Sequence, residues 1–210
     1  MNPISAYIHS RQNVSPKRLT DPGPNPDQLQ AILESAAAAP DHGQLMPWRF
    51  VIVPVSQRAE LGDVFAGALL DRDPSASMEQ VGNAKEKAQR GPFLMLAISR
   101  LNRVGVRLAE TRGRGAQHSE SDATEIGDVE RLVSLGCAIQ NILLSAHASG
   151  FGAGLTSGQA MNSVRLRTLC GLSDDEQAVC WISIGSVSKS KPPRERPAVS
   201  AYITSLASSP

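Results

Sequence analysis

Ala39-Pro40-Asp41-His42-Gly43-Gln44-Leu45-Met46-Pro47-Trp48 joins a helical pattern to the first strongly apolar strand pattern of the chain. Two prolines and a glycine make this stretch poor in both helix and strand propensity, so it is a shaped connection between regular elements. On its N-terminal side, Leu29, Ile32, Leu33, Ala36 and Ala37 recur at the spacing of one buried helix face. Asn25 as N-cap, Pro26 at the first helical position and Gln28 at the third predict where that helix begins, and Pro40 ends it by restricting Ala39. The small residues Ala36 to Ala39 permit either dense packing or room for a flat ligand. On its C-terminal side, Arg49 to Val53 reads as a short buried strand closed by Pro54.

Working outward, Ile4, Ala6, Tyr7 and Ile8 form a short amphipathic turn or helix leading to Arg11-Gln12-Asn13. Residues 14–26 hold four prolines and Gly23 and read as irregular, extended chain. Helical spacing predicts surface helices over 56–70 and 78–88. Phe93 to Ile98 is continuously apolar and predicts a central strand covered on both faces.

Residues 100–127, with five arginines and four glycines but no periodic apolar face, read as an inserted loop or flap in which His118 has no partner at metal-ligand spacing. Val129 to Ser149 is the longest helix signal. Its stripe Leu132, Gly136, Ile139, Leu143, Ala146, widened by Leu135 and Ile142, suits the domain centre or a dimer interface. Gly136 costs about 1 kcal/mol there relative to alanine, which a second backbone crossing closely would justify. Gly150 is placed to end the helix. The glycines of 151–158 do not make a dinucleotide fingerprint, because they follow a helix and that motif follows a strand. A short helix over 162–169, a buried strand over 178–185 and a basic, proline-rich tail with a terminal arm complete the reading.

The length of 210 residues and 41% hydrophobic content allow one domain with a full core. Twenty-one basic and twenty acidic side chains leave a charge of +1, with no footprint for nucleic acid or an anionic membrane surface. The odd set Cys137, Cys170 and Cys180, widely spaced in apolar surroundings, argues for buried thiols in a reducing cytoplasm over a disulfide or metal framework. No run has the ~18 apolar residues of a membrane span, and a soluble, cytoplasmic protein is expected. Nucleophile elbows, zincin helices, paired Cys-x-x-Cys and phosphate-binding glycine loops are absent. Chemistry carried by a bound cofactor is therefore the expectation.

Five features in order carry a resemblance. They are Ser-Arg-Gln-Asn-Val-Ser-Pro-Lys-Arg-Leu at 10–19, Ala-Pro-Asp-His-Gly with Pro47-Trp48, Ser-Leu-Gly-Cys-Ala-Ile-Gln-Asn at 134–141, Gly150-Phe151-Gly152, and a late strand ending in Gly185 before a basic tail. In this order the chain resembles the FMN-dependent nitroreductase family, in its short single-domain branch with the Ala-Pro-Asp-His signature. The resemblance implies an α+β fold with a central, mostly antiparallel sheet flanked by helices, in an intertwined homodimer with FMN between subunits. It implies one domain over 1–210, with the flap at 100–127 and a C-terminal arm at 186–210.

By the same resemblance, Arg11, Gln12 and Asn13 match the segment that holds the FMN phosphate and ribityl chain, and His42 matches a cofactor contact from the loop. Leu155, Thr156 and Ser157 match the segment near the flavin ring. Arg196, with Arg194 as a substitute, matches the basic position that neutralises the phosphate. A guanidinium fork suits a phosphate because it donates two charge-assisted hydrogen bonds in fixed geometry. The implied activity passes reducing equivalents from NAD(P)H to a nitroaromatic, quinone or similar small-molecule acceptor, with no catalytic side chain and no metal. Gln12 and Asn13 stand where relatives carry a second arginine and a serine. Relatives also carry arginine at Ala38, glutamine at Met46 and Trp-Arg at Leu155-Thr156. The changes at Ala38 and Thr156 motivate an alternative, a non-catalytic flavin-binding or cofactor-handling protein.

Overall fold

The computed structural model describes residues 2–102, 126–192 and 194–206. In order come α1 (Pro3–Ser10), β1 (Leu19–Thr20), α2 (Pro26–Glu34), β2 (Trp48–Ile52), α3 (Arg58–Arg72), α4 (Met78–Glu86), β3 (Phe93–Arg100), α5 (Asp128–Ala148), β4 (Gly152–Thr156), α6 (Val164–Leu169) and β5 (Glu176–Val187). All pairings between these strands are antiparallel. The strand β5 is the hub: it pairs with β3, β4 and β1, and β3 pairs onward with β2. The fold is α+β, as expected.

The local rules act as the residues predict. Asn25 accepts from the Gln28 amide at 2.9 Å while the Gln28 side chain accepts from the Asn25 amide at 3.0 Å, a complete capping box for α2. A 3-10 turn, Ser35–Ala38, tightens the helix end before Pro40. Gly150, at φ +83°, closes α5 in the left-handed conformation.

The sheet is covered on both sides, and the alternation along β3 explains its unbroken apolar run. Phe93, Met95 and Ala97 face a cluster with α2 and α5, while Leu94, Leu96 and Ile98 face a second cluster with α3 and α6. Of the three free cysteines, Cys180 is buried in the first cluster, and Cys137 and Cys170 are half-buried.

Four expectations need correction or lie elsewhere. Residues 14–26 are not wholly irregular, because Leu19 and Thr20 pair with Val187 and Ser186. The buried face of α5 is Leu135, Ala138, Ile139, Ile142, Leu143 and Ala146, rotated from the expected stripe, so Leu132 is exposed. No backbone crosses at Gly136: a Cβ there would have no neighbour within 4 Å among the described residues. The flap at 100–127 lies almost wholly outside the described residues. Helix α5 also has the length and mean hydropathy, 1.2, to cross a bilayer, although its apolar face packs into the first cluster.

Candidate functional site

Between α1 and β1 the chain runs beside β4, and the two form a seam. Asn13 bridges Ala153 in parallel, the Val14 amide donates to the Ala153 carbonyl at 2.9 Å, and the Leu155 amide donates to Asn13 Oδ1 at 2.9 Å. The glycines of the Gly152-Ala153-Gly154 stretch make this approach possible. A Cβ on Gly154 would run into the Val14 carbonyl, and one on Gly152 into Val187 and Leu19. These glycines therefore admit a neighbouring main chain, consistent with their failure to match a dinucleotide fingerprint.

One end of the seam opens into a cavity of about 320 Å³ whose lining includes Arg11, Gln12, Arg18, His147, Lys189 and Lys191, and no carboxylate. Arg11 is partly buried and its Nη1 is buried with no hydrogen-bond partner. Burial, and then the charge of Arg196, lower the Arg11 pKa. Arg196 donates from Nη2 to the Arg11 carbonyl at 3.0 Å, and Arg18 donates to the Lys189 carbonyl, which ties the basic tail to the N-terminal segment. Ser10 Oγ and His147 Nε2 lie 2.7 Å apart at the wall, joining α1 to the end of α5. The lining is cationic, and it includes a buried guanidinium donor without a partner among the described residues, a combination whose chemistry suits an anion.

The other end opens into a larger cavity of about 650 Å³, bordered by Ser15, Pro16, Thr156 and Ser157 of the seam. From Arg11 to Ser15 the extended chain spans about 13 Å, so the two cavities flank one short segment of chain. Helix α3 presents Phe65, Leu69 and Arg72 to this cavity, and α4 presents Gln80 and Asn83 with Lys87 in the 3-10 turn just after it, each set at the i, i+3, i+4, i+7 spacing of one helix face. Phe65 packs edge-on to Trp181, with centroids 5.7 Å apart and planes at 81°, an apolar wall of two nearly perpendicular rings. Ser183 Oγ lies buried at this cavity without a partner.

This composite groove, the seam with its two cavities, brings together Arg11, Gln12, Asn13, Leu155, Thr156 and Ser157, with Arg196 bonded to the Arg11 carbonyl beside it. It does not bring in His42. Gly43, at φ +71°, sits against Ile126 just before α5, and His42 beside it is exposed. Arg11 sits near the other end of α5, whose 21 residues span about 31 Å. Asp41 holds the loop by accepting the Met46 amide at 2.6 Å, and Trp48 is buried in the first cluster. Arg194 is exposed and makes no hydrogen bond or ion pair among the described residues. Sequence reasoning passed over Arg18, which lies within the quoted 10–19 segment, and Lys189 and Lys191, whose only signal was a basic tail. It also passed over Asn83 and Lys87, which lie on the polar face of a helix where spacing of apolar residues carries no information.

The nitroreductase family model matches residues 11–186. A relative from Haemophilus influenzae, which carries the provisional name NAD(P)H nitroreductase, is 27% identical over 172 residues, 82% of this chain and 83% of its own. Among solved structures, the nitroreductase-like family protein of Bacillus cereus superposes with a TM-score of 0.76 at 17% identity, covering 98% of this chain and 97% of that one. The NADPH:FMN oxidoreductase of Vibrio harveyi, solved with NAD+, gives 0.67 at 16% identity over 98% and 77% of the two chains. With the family match spanning most of the chain, on the fold those solved proteins share, the protein belongs to the nitroreductase family.

Proposed function

We propose that the protein is an FMN-dependent oxidoreductase that draws reducing equivalents from NAD(P)H and delivers them to a nitroaromatic, quinone or similar acceptor. The observation that carries this reading is the groove itself. At one end a buried guanidinium nitrogen, Arg11 Nη1, has no protein partner and stands among cations without a carboxylate. A phosphate dianion satisfies that donor and relieves the clustered positive charge. The residues present therefore fit FMN. Arg11, Arg18, Lys189 and Arg196 would hold its phosphate, Gln12 and Asn13 would flank its polyol chain, and Leu155, Thr156, Ser157, Asn83 and Lys87 would border its ring.

A bound flavin supplies hydride acceptance and donation, chemistry that no side chain here can perform. The protein's part is to bind and orient. The Phe65–Trp181 pair offers apolar surface for an aromatic substrate along one side of the cavity. Ser183 Oγ offers a fixed hydrogen bond at the floor.

A homodimer is part of this reading. Val129 and Val133 on α5, Ile4 on α1, and Ile203 and Leu206 in the tail are exposed apolar side chains that a second copy would cover. The length of α5 between His42 and Arg11 supports the same arrangement, with His42 serving the groove of the second copy.

The test is purification with FMN supplied, measurement of released flavin, and NAD(P)H oxidation with a nitro compound or quinone. Bound FMN with turnover is expected. Failure to bind FMN overturns the proposal, and binding without turnover across acceptors assigns the protein to cofactor handling.

A further inference from the structure

We infer that Arg72 is a specificity residue that selects a substrate bearing an anionic group, a carboxylate or phosphate, on the molecule that exchanges reducing equivalents in the larger cavity. The inference rests on the functional reading above and names the substrate chemistry of that site.

Among the described residues the lining of the larger cavity holds Arg72, Lys87 and Arg90 and no carboxylate, in a chain whose net charge is only +1. The three cations are not equivalent. Lys85 pairs with Asp63 at 2.7 Å, so α3 and α4 run antiparallel. Arg72, the last residue of α3, therefore lies toward the hairpin end with Gln80, while Lys87 and Arg90 lie at the other end, where Gly91 packs near Leu19 and the Pro16 carbonyl beside the seam. Lys87 and Arg90 stand where a bound flavin would use them. Arg72 stands away from the seam, at the mouth.

Of the two neighbouring carboxylates, Asp71 is paired with another cation, and Asp73 feels the charge of Arg72 without a hydrogen bond to it. Asp71 accepts both Nε and Nη2 of Arg165, at 2.7 and 2.9 Å, and Asp73 accepts the amide and hydroxyl of Ser75 at 3.1 and 2.6 Å. Arg72 itself has no hydrogen bond or ion pair among the described residues. Its helix face continues through Leu69 to Phe65, so a planar ring against Phe65 and Trp181 could carry its charged substituent outward along that face to the guanidinium. A cation beside an apolar wall raises the local concentration and affinity of anionic aromatics over neutral ones, and salt weakens the effect because Arg72 is exposed.

The test compares para-nitrobenzoate with para-nitrobenzyl alcohol, which share ring and size but differ in charge. Binding to the full-length, FMN-supplied protein is measured by isothermal titration, and kcat/KM by NADH oxidation. The wild-type protein is expected to favour the benzoate, with the benzoate-to-alcohol ratio falling about five- to tenfold in Arg72→Gln and in high salt, and partly restored in Arg72→Lys. A companion arm compares NADPH with NADH. If the Arg72→Gln loss appears in that ratio, the anionic group recognised is the donor's phosphate, and the inference stands with its source assigned. An unchanged ratio in both arms, in a variant that binds FMN like the wild type, overturns it. Absence of FMN binding in the wild type instead overturns the functional reading, and the titration ratio still decides the role of Arg72.

Discussion

Arg196 Nη2 donates a 3.0 Å hydrogen bond to the main-chain carbonyl of Arg11, 185 residues away in sequence. The bond holds two guanidinium groups beside one pocket, an arrangement of like charges that an anion relieves.

Replacing either arginine should therefore weaken cofactor binding more than it weakens the fold. Arg11→Ala removes a charge-assisted donor with no protein partner and should cost about 1.5–3 kcal/mol of FMN affinity, roughly ten- to more than a hundredfold in Kd. Arg196→Ala should cost less, since its group is more exposed. Fluorescence titration of FMN, with circular dichroism as the check on folding, reads both; unchanged affinity in Arg11→Ala would show that the phosphate end is misassigned.

Gly154→Ala tests the seam. The added methyl meets the Val14 carbonyl, a main-chain atom that cannot rotate away, so about 2 kcal/mol or more of stability should be lost. In a chain of this size that is a fall of roughly 4–8 °C in Tm by differential scanning fluorimetry. Gly136→Ala, with open space around its Cβ in the described chain, should not destabilise an isolated subunit.

Glu176 is the acid-sensitive clamp. Its carboxylate accepts Arg49 Nε and Nη2 at 2.6 and 2.7 Å and the Ser173 amide at 3.2 Å, at the strand end where Arg100 Nε lies 3.9 Å away. The Arg49 hydrogen bonds, opposed by burial, lower its pKa from 4.5 to about 2. A depressed carboxylate pKa stabilises the fold above the unfolded value and loses that contribution as pH falls from about 4.5 towards 2. Glu176→Gln should lose about 2–3 kcal/mol at pH 7 in urea unfolding, with the gap to wild type closing as the pH approaches 2.

Val133, 61% exposed on α5, is a test of self-association. Val133→Glu should shift the protein from dimer to monomer in light scattering after size exclusion and reduce FMN retention with it. A variant that stays dimeric places the interface elsewhere.

Burial pushes the Cys180 thiol up to about 11. At pH 8 only about one molecule in a thousand carries the thiolate, so Cys180 should be alkylated after unfolding and not before. Mass spectrometry of native and urea-treated samples distinguishes the two.

Much of this was legible in the chain because it depends on neighbours in sequence. The cap of α2 needs only Asn25, Pro26 and Gln28, and the central place of β3 follows from an apolar run that must be covered on both faces. The Ala39–Trp48 connection was identifiable by its prolines, and within it Asp41 accepts the Met46 amide. Spacing was less reliable for α5, where a broad apolar surface left the angle of the buried face undetermined and Leu132 fell on the outside.

The sequence by itself determined the main helices and the strands β2, β3 and β5 in their order, since caps, prolines and side-chain periodicity act over a few residues, but not the short β1 or the glycine-rich β4. Only the tertiary structure decided that Arg11, Arg18 and Lys189 line one pocket with Arg196 bonded beside it, that Gly154 leaves room for Val14, and that His42 stands a helix length away from them. Those are distances between residues far apart in the chain, set by which strands pair and which helices pack, and no local pattern encodes them.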